Sequence, residues 1–270
     1  MKKILKYAIV TAILLLIPEI ICAQYTNKPA INARSAILVD LNSGTVLYSK
    51  SSLAIMAPAS TTKIMTAILV LEKLNLNRVV TVHPDAASKE GTSMDLHNYE
   101  KRTVRELLYG LMLESGNDAA TALAEAVSGT EANFTQLMNQ KAKLLGMKNT
   151  CFKNASGLPV IGHYTTAYDM AILTRYALKN PNFSAIVGTK TKEIPGSKPG
   201  EIRQLENHNK LLWRYPYAIG VKTGYTFNAG GCLVSAASYR GKTLINIVLK
   251  TSTIYNDSIK LFNYGFSLRT

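Results

Sequence analysis

The chain has 270 residues, 47% of them hydrophobic and 18% charged, and 31 Lys and Arg against 17 Asp and Glu give a formal net charge of +14. This composition excludes a disordered or collagen-like chain and fits one large domain or two small ones. Because the three cysteines and four histidines lack the spacing of metal ligands, we expect neither a metal nor another cofactor.

The first 23 residues have the pattern of a secretory signal peptide. Three lysines within the first six residues precede an apolar run from Tyr7 to Ile17, and small residues follow at 22–23. The run ends at Pro18, well short of the roughly 20 residues that a membrane span needs. We predict that residues 1–23 are removed and that residues 24–270 act in the periplasm or at the outer face of the cytoplasmic membrane. Membrane contact would require an uncleaved N-terminus.

The predicted export changes how two other features of the sequence are interpreted, its positive charge and its cysteines. The basic residues are spread along the chain without interleaved aromatic side chains, so we do not expect a nucleic-acid partner. A cationic exported protein instead fits among the anionic polymers of a cell envelope. After cleavage Cys151 and Cys232 remain, and the sequence leaves open whether they pair or are free buried thiols.

Hydrophobic periodicity predicts strands at both ends of the chain and helices between them. No linker, repeat or low-complexity segment is present, so we predict one α/β domain in which the first and last strands pair in an antiparallel sheet backed by helices. In chain order, the predicted elements are strands at 35–41 and 45–49 joined by an Asn-Ser-Gly turn, helices from about 60 and at 103–113, 117–127, 130–145 and 166–179, an exposed loop or hairpin at 191–206, strands at 218–222, 231–238 and 243–250, and a helix at 255–264.

Ser60-Thr61-Thr62-Lys63 places a hydroxyl and an amine three residues apart at the start of a predicted buried helix. Residues i and i+3 share a helix face, so the amine of Lys63 is predicted to reach the hydroxyl oxygen of Ser60. A desolvated lysine with a lowered pKa can take the serine proton, and a helix N-terminus favours an oxyanion. Alone the pattern is weak, because a helix cap followed by a surface lysine has the same residues.

Two further short motifs follow, and each also has an ordinary structural explanation. Ser115-Gly116-Asn117 offers a second hydroxyl for proton transfer and an amide for substrate, but serine and asparagine are also common helix caps. Lys222-Thr223-Gly224 offers a cation and a hydroxyl for a carboxylate, but it also fits a strand that ends in a turn. The three motifs in this order form the combination found in active-site serine β-lactamases and penicillin-binding proteins.

With these motifs the sequence resembles the low-molecular-weight penicillin-binding proteins that are D-alanyl-D-alanine carboxypeptidases, the serine peptidase family S11. The resemblance implies a β-lactamase/transpeptidase-like fold, an antiparallel sheet flanked by helices with a mainly helical subdomain. It spans roughly Ala33 to Phe266 and includes the longer segments PASTTKIMTA at 58–67, SGNDAA at 115–120, FKNASGL at 152–158, NHNKLL at 207–212 and GVKTGYT at 220–226.

The resemblance implies a catalytic role for each motif. Ser60 attacks the carbonyl between the two D-alanines of a peptidoglycan stem pentapeptide, with Lys63 as the general base. Ser115 and Lys222 relay the proton to the departing D-alanine, and the backbone amides of Ser60 and Tyr225 form the oxyanion hole. Water then cleaves the acyl-enzyme, and β-lactams acylate Ser60 as substrate mimics.

The resemblance also implies how the substrate is held. Lys222 and Thr223 meet the terminal carboxylate of the stem peptide, while Asn117 orients the peptide. Gly224 lets the backbone come close to the substrate. The expected partners are therefore peptidoglycan stem peptides and, as acylating inhibitors, β-lactam antibiotics.

The sequence departs from the family pattern in two ways. Many members carry a second, β-rich domain and an amphipathic membrane helix after the catalytic domain, and we expect neither in residues 24–270. Family members also often have arginines where this chain has His208 and Ile254. If those arginines bind the substrate carboxylate, Lys222 and Thr223 must do so here and activity is weaker; His208 can instead be a solvated loop residue.

Two other functions remain as alternatives. A class A-like β-lactamase shares the Ser-x-x-Lys and Lys-Thr-Gly patterns but needs a glutamate for deacylation, and no Glu-Pro loop signature lies between Ser115 and Lys222. A penicillin-sensing, peptidoglycan-binding module would acylate and barely turn over, which the intact set of Ser60, Lys63, Ser115 and Lys222 disfavours. An α/β-hydrolase is disfavoured because Gly-x-Ser-x-Gly is absent from the sequence.

Overall fold

The structure is a computed structural model and describes residues 28–268. The predicted signal peptide, residues 1–23, lies outside the described residues. No helix in the described range combines the length and the apolar character that a bilayer crossing requires.

The strands form one central sheet and two small hairpins. They are β1 Ser35–Asp40, β2 Val46–Lys50, β3 Val79–Thr81, β4 Lys101–Thr103, β5 Thr191–Pro195, β6 Ile202–Glu206, β7 Ala218–Thr226, β8 Gly230–Tyr239 and β9 Lys242–Thr251. The central sheet is antiparallel with the order β2-β1-β9-β8-β7, whereas β3 pairs with β4 and β5 with β6. Because β1 pairs with β9 from Ser35 opposite Leu249 to Asp40 opposite Leu244, the predicted pairing of first and last strands is confirmed.

The helices fill the chain between β2 and β7 and close it at the C-terminus. They are α1 Lys63–Lys73, α2 Pro84–Ala87, α3 Val104–Tyr109, α4 Asn117–Ser128, α5 Glu131–Leu145, α6 Ala167–Ala177, α7 Pro181–Gly188, α8 Leu211–Arg214 and α9 Ile254–Ser267. A 3-10 turn, Ala59–Thr62, precedes α1, and a π-helical turn, Gly110–Glu114, follows α3. The antiparallel sheet with helices on both sides agrees with the predicted fold class.

Both faces of the central sheet are buried, because alternate residues of its strands enter two different apolar clusters. On β1, Ile37 and Val39 pack in the larger cluster with the helices that lie between β2 and β7. Leu38, which points to the opposite face, packs in the smaller cluster with Leu261 and Phe262 of α9. The sheet is therefore a layer between α9 and the helical part of the domain.

Helix α1 lies in the centre of the helical part and is buried on all sides from Lys63 to Val70. A helix that is apolar all round is typical of a protein interior. The alanine-rich first half of α4 is also buried, which lets α1 and α4 approach closely. The two core helices thus begin near each other, with Lys63 at the start of one and Asn117 at the start of the other.

The structure differs from the sequence prediction in local detail at each of the three motifs. β7 does not end at Lys222 but continues to Thr226, because pairing with β8 continues to Thr226 opposite Gly230. Ser115 is not a helix cap that bonds through its side chain; it has left-handed backbone torsions, with φ 63°, after the π-helical turn. At the first motif, Ser60 lies in the 3-10 turn, and the α-helix itself starts at Lys63.

The cysteines that the sequence left open do not pair. Cys151 and Cys232 are both free thiols in the structure. Cys232 is buried on β8, and burial raises the pKa of its thiol to about 11, although a backbone hydrogen bond from Lys250 opposes the shift. A neutral, buried thiol of this kind packs as a small apolar side chain.

Candidate active site

A groove of about 700 Å³ runs across one end of the molecule between β7 and the helical part. All three sequence motifs contribute to its walls, so the structure brings together stretches that are far apart in the chain. The residues that line it are Ser60, Gly91, Thr92, Ser115, Asn117, Gly157, Leu158, His208, Thr223, Gly224, Tyr225, Thr226, Gly231, Thr251, Ser252, Ile254 and Tyr255.

Lys63 lies beneath this groove and its amine is held by three oxygen atoms. Nζ lies 3.2 Å from Ser60 Oγ and donates to Asn117 Oδ1 at 2.7 Å and to the carbonyl of Ser156 at 2.7 Å. The side chain is fully buried. The predicted contact between the amine and the hydroxyl is therefore present, and the two stronger bonds aim the amine at Ser60.

The surroundings of Lys63 favour its neutral form. Burial lowers the pKa of Lys63 well below its usual range, the nearby cation of Lys222 lowers it further, and Asp118 acts in the opposite direction. A neutral amine has a lone pair that can accept a proton, which an ammonium group lacks. The arrangement thus favours removal of the proton of the Ser60 hydroxyl by Lys63.

Lys222 is a second buried lysine, on the strand that forms the other wall. Burial lowers the pKa of Lys222 to about 7, although Glu114 opposes the shift. Its Nζ donates to the carbonyl of Thr223 at 3.2 Å. Since Lys222 exchanges its proton near neutral pH, its protonated form can bind an anionic ligand and can also donate a proton.

Gly224 brings β7 against the turn that carries Ser60. A Cβ at position 224 would lie 2.9 Å from the amide nitrogen of Ser60 and 3.1 Å from the Cβ of Ala59. From the sequence, Gly224 was predicted to let the backbone approach the substrate. The structure shows a second reason for a glycine at this position, because a side chain there would push β7 away from Ser60. Tyr225 follows directly, with its side chain 72% exposed.

We expect Gly224→Ala to lower the rate of acylation of Ser60 by about tenfold or more, because the added methyl group pushes β7 away from the Ser60 amide. Stopped-flow measurement with a fluorescent penicillin gives the rate, and thermal unfolding gives the folded fraction. An acylation rate equal to that of the parent protein would show that the close approach is unnecessary.

Asn117 and Asp118 tie the start of α4 to the segment between α2 and β4. Asn117 accepts from Lys63 and donates through Nδ2 to the carbonyl of Glu90 at 2.8 Å, which leaves one amide hydrogen for a ligand. The buried carboxylate of Asp118 accepts from the hydroxyl of Ser93 at 2.6 Å and from the amides of Met94 and Leu96. The segment between α2 and β4 is thereby fixed against α4.

Ser115 reaches the groove from the π-helical turn. Its carbonyl accepts from the hydroxyl of Thr92 at 2.7 Å, which orients the residue. Within residues 28–268 its own hydroxyl makes no hydrogen bond, so the groove side of that hydroxyl is open to a ligand. This position is compatible with the proton relay that the sequence predicts.

Sequence reasoning assigned no role to Ser156 and Gly157, which the structure places beside Ser60 and Lys63. The carbonyl of Ser156 accepts from Lys63, and Gly157 has φ 91° with an ideal Cβ position only 1.9 Å from the carbonyl oxygen of Ala59. Only glycine fits there. The sequence Asn154-Ala-Ser-Gly157 is typical of a turn and could have indicated this loop. In the structure the amide of Gly157 donates to Asn154 Oδ1 at 2.7 Å and closes the turn.

His208 and Ile254, where many family members have arginine, both line the groove. His208 is an exposed loop residue, as one of the two expectations had it, and its Nε2 also lies 3.2 Å from Glu114 Oε2. Burial raises the pKa of Glu114, but hydrogen bonds from His208 and the amide of Glu206 outweigh it, so the pKa is lowered overall. The imidazole thus lines the groove, and Glu114, which is not among the lining residues, holds it in place.

Most of the chain is similar to proteins of one known family. The family model described as D-alanyl-D-alanine carboxypeptidase, peptidase S11, matches residues 22–253. D-alanyl-D-alanine carboxypeptidase DacF of Bacillus subtilis is 40% identical over 250 residues, which is 90% of this chain and 64% of DacF. The chain therefore spans less than two thirds of the length of that relative.

A protein of Streptomyces sp. strain K15 is similar along almost its whole length. The K15 D-alanyl-D-alanine carboxypeptidase is 39% identical over 265 residues, 91% of each chain. The crystal structure of the Streptomyces K15 DD-transpeptidase superposes with a TM-score of 0.85 at 38% identity, covering 90% of this chain and all of that chain. The resemblance and the fold class predicted from the sequence are confirmed, and the chain belongs to the S11 family of D-alanyl-D-alanine carboxypeptidases.

Proposed function

We propose that residues 24–270 form the catalytic domain of a serine-type D-alanyl-D-alanine carboxypeptidase. The observation that carries the proposal is the buried amine of Lys63, 3.2 Å from the hydroxyl of Ser60, at the floor of an open groove. Family membership supplies the substrate class, a peptidoglycan stem peptide that ends in D-Ala-D-Ala. Residues 1–23 serve as the export signal, and the domain acts on the wall outside the cytoplasm.

Acylation begins when the neutral amine of Lys63 takes the proton of Ser60 as its oxygen attacks the penultimate D-alanine carbonyl. The oxyanion that forms is stabilised by the backbone amides of Ser60 and Tyr225. The 3-10 turn and β7 lie side by side at Gly224, which supports this placement. Breaking the peptide bond then leaves an ester on Ser60 and a free D-alanine.

The leaving D-alanine needs a proton on its nitrogen and a counter-charge for its carboxylate. The open hydroxyl of Ser115 passes the proton, and protonated Lys222 with the hydroxyl of Thr223 binds the carboxylate. Asn117 uses its remaining amide hydrogen to orient the peptide, and Gly224 leaves room for its backbone. His208 adds a further donor at the same end of the groove, beside Glu114.

Deacylation by water completes the reaction, and β-lactams acylate the same serine. No carboxylate is among the groove-lining residues of the described chain, so nothing there matches the glutamate of a class A β-lactamase. The penicillin ester is therefore expected to be long-lived. The similar K15 structure is named a DD-transpeptidase, so a second possible reaction is transpeptidation, in which an amine instead of water attacks the acyl-enzyme.

The experiment is release of D-alanine from a peptide that ends in D-Ala-D-Ala, with the Ser60→Ala variant as the control. Steady release by the parent protein and none by the variant supports the carboxypeptidase. Labelling of Ser60 by a fluorescent penicillin without release of D-alanine would favour the sensing module. Rapid hydrolysis of the penicillin would favour a β-lactamase. When glycine is added to the assay as an amine acceptor, a product in which glycine replaces the terminal D-alanine would favour a transpeptidase.

A further inference from the structure

A salt bridge between Lys89 and Glu131 lies outside the residues assigned above. The Nζ of Lys89 is 2.9 Å from Glu131 Oε2, and the two side chains are 32% and 21% exposed. Lys89 follows α2, and Glu131 is the first residue of α5, so the pair joins two segments 42 residues apart. A partly exposed pair of this kind contributes little to global stability.

Glu131 is attached to one of the loops that hold the amine of Lys63. Its second oxygen, Oε1, accepts the backbone amide of Ala155 at 2.9 Å. The carbonyl of the next residue, Ser156, accepts from Lys63 Nζ at 2.7 Å. Thr66, one turn along α1, donates to the carbonyl of Ala155 at 2.6 Å. A shift of Glu131 therefore moves one of the acceptors of Lys63.

Lys89 is attached to the other acceptor through its chain neighbour. The carbonyl of Glu90 accepts from Asn117 Nδ2 at 2.8 Å, and Asn117 Oδ1 accepts from Lys63 Nζ at 2.7 Å. One chain of contacts therefore runs from Lys63 through Asn117 and Glu90 to Lys89. A second runs from Lys63 through Ser156 and Ala155 to Glu131. The salt bridge closes this ring of contacts.

We propose that Lys89 and Glu131 are positioning residues for the reaction, because their salt bridge joins the loop that supplies the Ser156 acceptor to the loop that holds Asn117, and these two acceptors aim Lys63 at Ser60. The proposal rests on the role of Lys63 in the proposed function. Neither side chain lines the groove, so the pair acts only through the two loops. With the pair broken, the loops separate, water reaches the amine, and the geometry of the base is lost.

The test compares Glu131→Ala, Glu131→Gln and Lys89→Met with a matched control. Glu72→Ala breaks the Lys141–Glu72 pair, which has the same residue types, a distance of 2.7 Å, exposures of 17% and 24%, and one partner on α5. The rate of acylation of Ser60 by a fluorescent penicillin is measured against pH. In parallel, NMR of ¹³Cε-labelled lysine follows the titration of Lys63 without any substrate.

We expect Glu131→Ala to slow acylation about 10- to 100-fold, the fold-change that corresponds to losing the charge-assisted hydrogen bond from the Ala155 amide to Glu131. Lys89→Met should slow it about 3- to 10-fold, and Glu131→Gln should recover most of the rate because it keeps an acceptor for Ala155. The pKa of Lys63 should rise in Glu131→Ala, because entering water reduces the burial that lowers it. The two charged residues that face Lys63, Lys222 and Asp118, are the same in the variant and do not contribute to the change. Glu72→Ala should match the parent protein in both measurements.

Parent-like acylation and an unshifted Lys63 titration in Glu131→Ala would overturn the proposal, as would an equal loss in Glu72→Ala. If Glu131→Ala does not fold, the same comparison is made with Lys89→Met. A parent protein that no penicillin labels would contradict the proposed function instead, and the Lys63 titration would still decide whether the salt bridge positions the amine.

Discussion

Replacing Lys63 with methionine is expected to lower the rate of acylation of Ser60 by about 10⁴-fold while the protein stays folded. The methionine side chain has a similar volume but no lone pair on nitrogen, so the hydroxyl of Ser60 keeps its proton. The substitution leaves Asn117 Oδ1 and the Ser156 carbonyl without their donor, but it also removes a buried amine whose protonated form is disfavoured. These opposing effects keep the change in stability small compared with the change in rate.

The measurement is the second-order rate of labelling by a fluorescent penicillin, with circular dichroism to confirm the fold. Lys73→Met is the matched control, because Lys73 lies at the exposed end of the same helix. It should label at the parent rate. Labelling of Lys63→Met within tenfold of the parent protein would remove Lys63 from the role of general base.

Replacing Lys222 with methionine is expected to stabilise the protein at neutral pH while it reduces carboxypeptidase activity. At 1.36 kcal/mol for each pKa unit, lowering the pKa of Lys222 from 10.5 to about 7 costs the folded state about 5 kcal/mol when both states are protonated. Its single hydrogen bond, 3.2 Å to the carbonyl of Thr223, offsets little of this. We expect a gain of about 2–4 kcal/mol in the free energy of unfolding.

The sign of the pH dependence follows from the same two pKa values. Between pH 7 and 10.5 the unfolded chain binds a proton at Lys222 that the folded chain has lost, so this contribution makes the parent protein more stable as pH rises. The difference between Lys222→Met and the parent protein should therefore be largest at pH 7 and below, and it should vanish near pH 10.5.

Urea unfolding at several pH values checks this expectation, with Lys179→Met, an exposed lysine, as the control. The control should show no pH-dependent difference. A destabilised Lys222→Met protein at pH 7 would contradict the burial penalty. Activity assays on the same variant separate stability from function: the rate of D-alanine release should fall by about 100-fold or more, because the carboxylate of the substrate loses its cation.

The longer helices and the strands of the central sheet were predictable because their signals are periodic in the sequence, whereas the short elements α2, α7, α8, β3 and β4 were not predicted. The apolar residues of α1, α5 and α6 recur at helical spacing, and the continuous apolar runs of β8 and β9 match strands buried on both faces. The contact between Ser60 and Lys63 was predictable for a related reason, since their spacing of three residues fixes their relative position on a helical turn.

The residues that complete the site were not predictable in the same way. Ser156 acts through a backbone carbonyl, which every residue has, so its side chain gives no signal. The left-handed torsions of Ser115 follow from a π-helical turn that no periodicity predicts. His208 is adjacent to Glu114 only because β6 and the π-helical turn pack together, a contact that depends on the tertiary fold.

The most direct test of the proposed mechanism is to locate the covalent intermediate. The protein is incubated briefly with penicillin or with a thioester analogue of the stem peptide, quenched in acid, digested and mapped by mass spectrometry. A mass increase of one acyl group on the peptide that contains Ser60, absent in Ser60→Ala and strongly reduced in Lys63→Met, is the predicted result. Substrate cleavage with no adduct at Ser60, or an adduct on another residue, would contradict it.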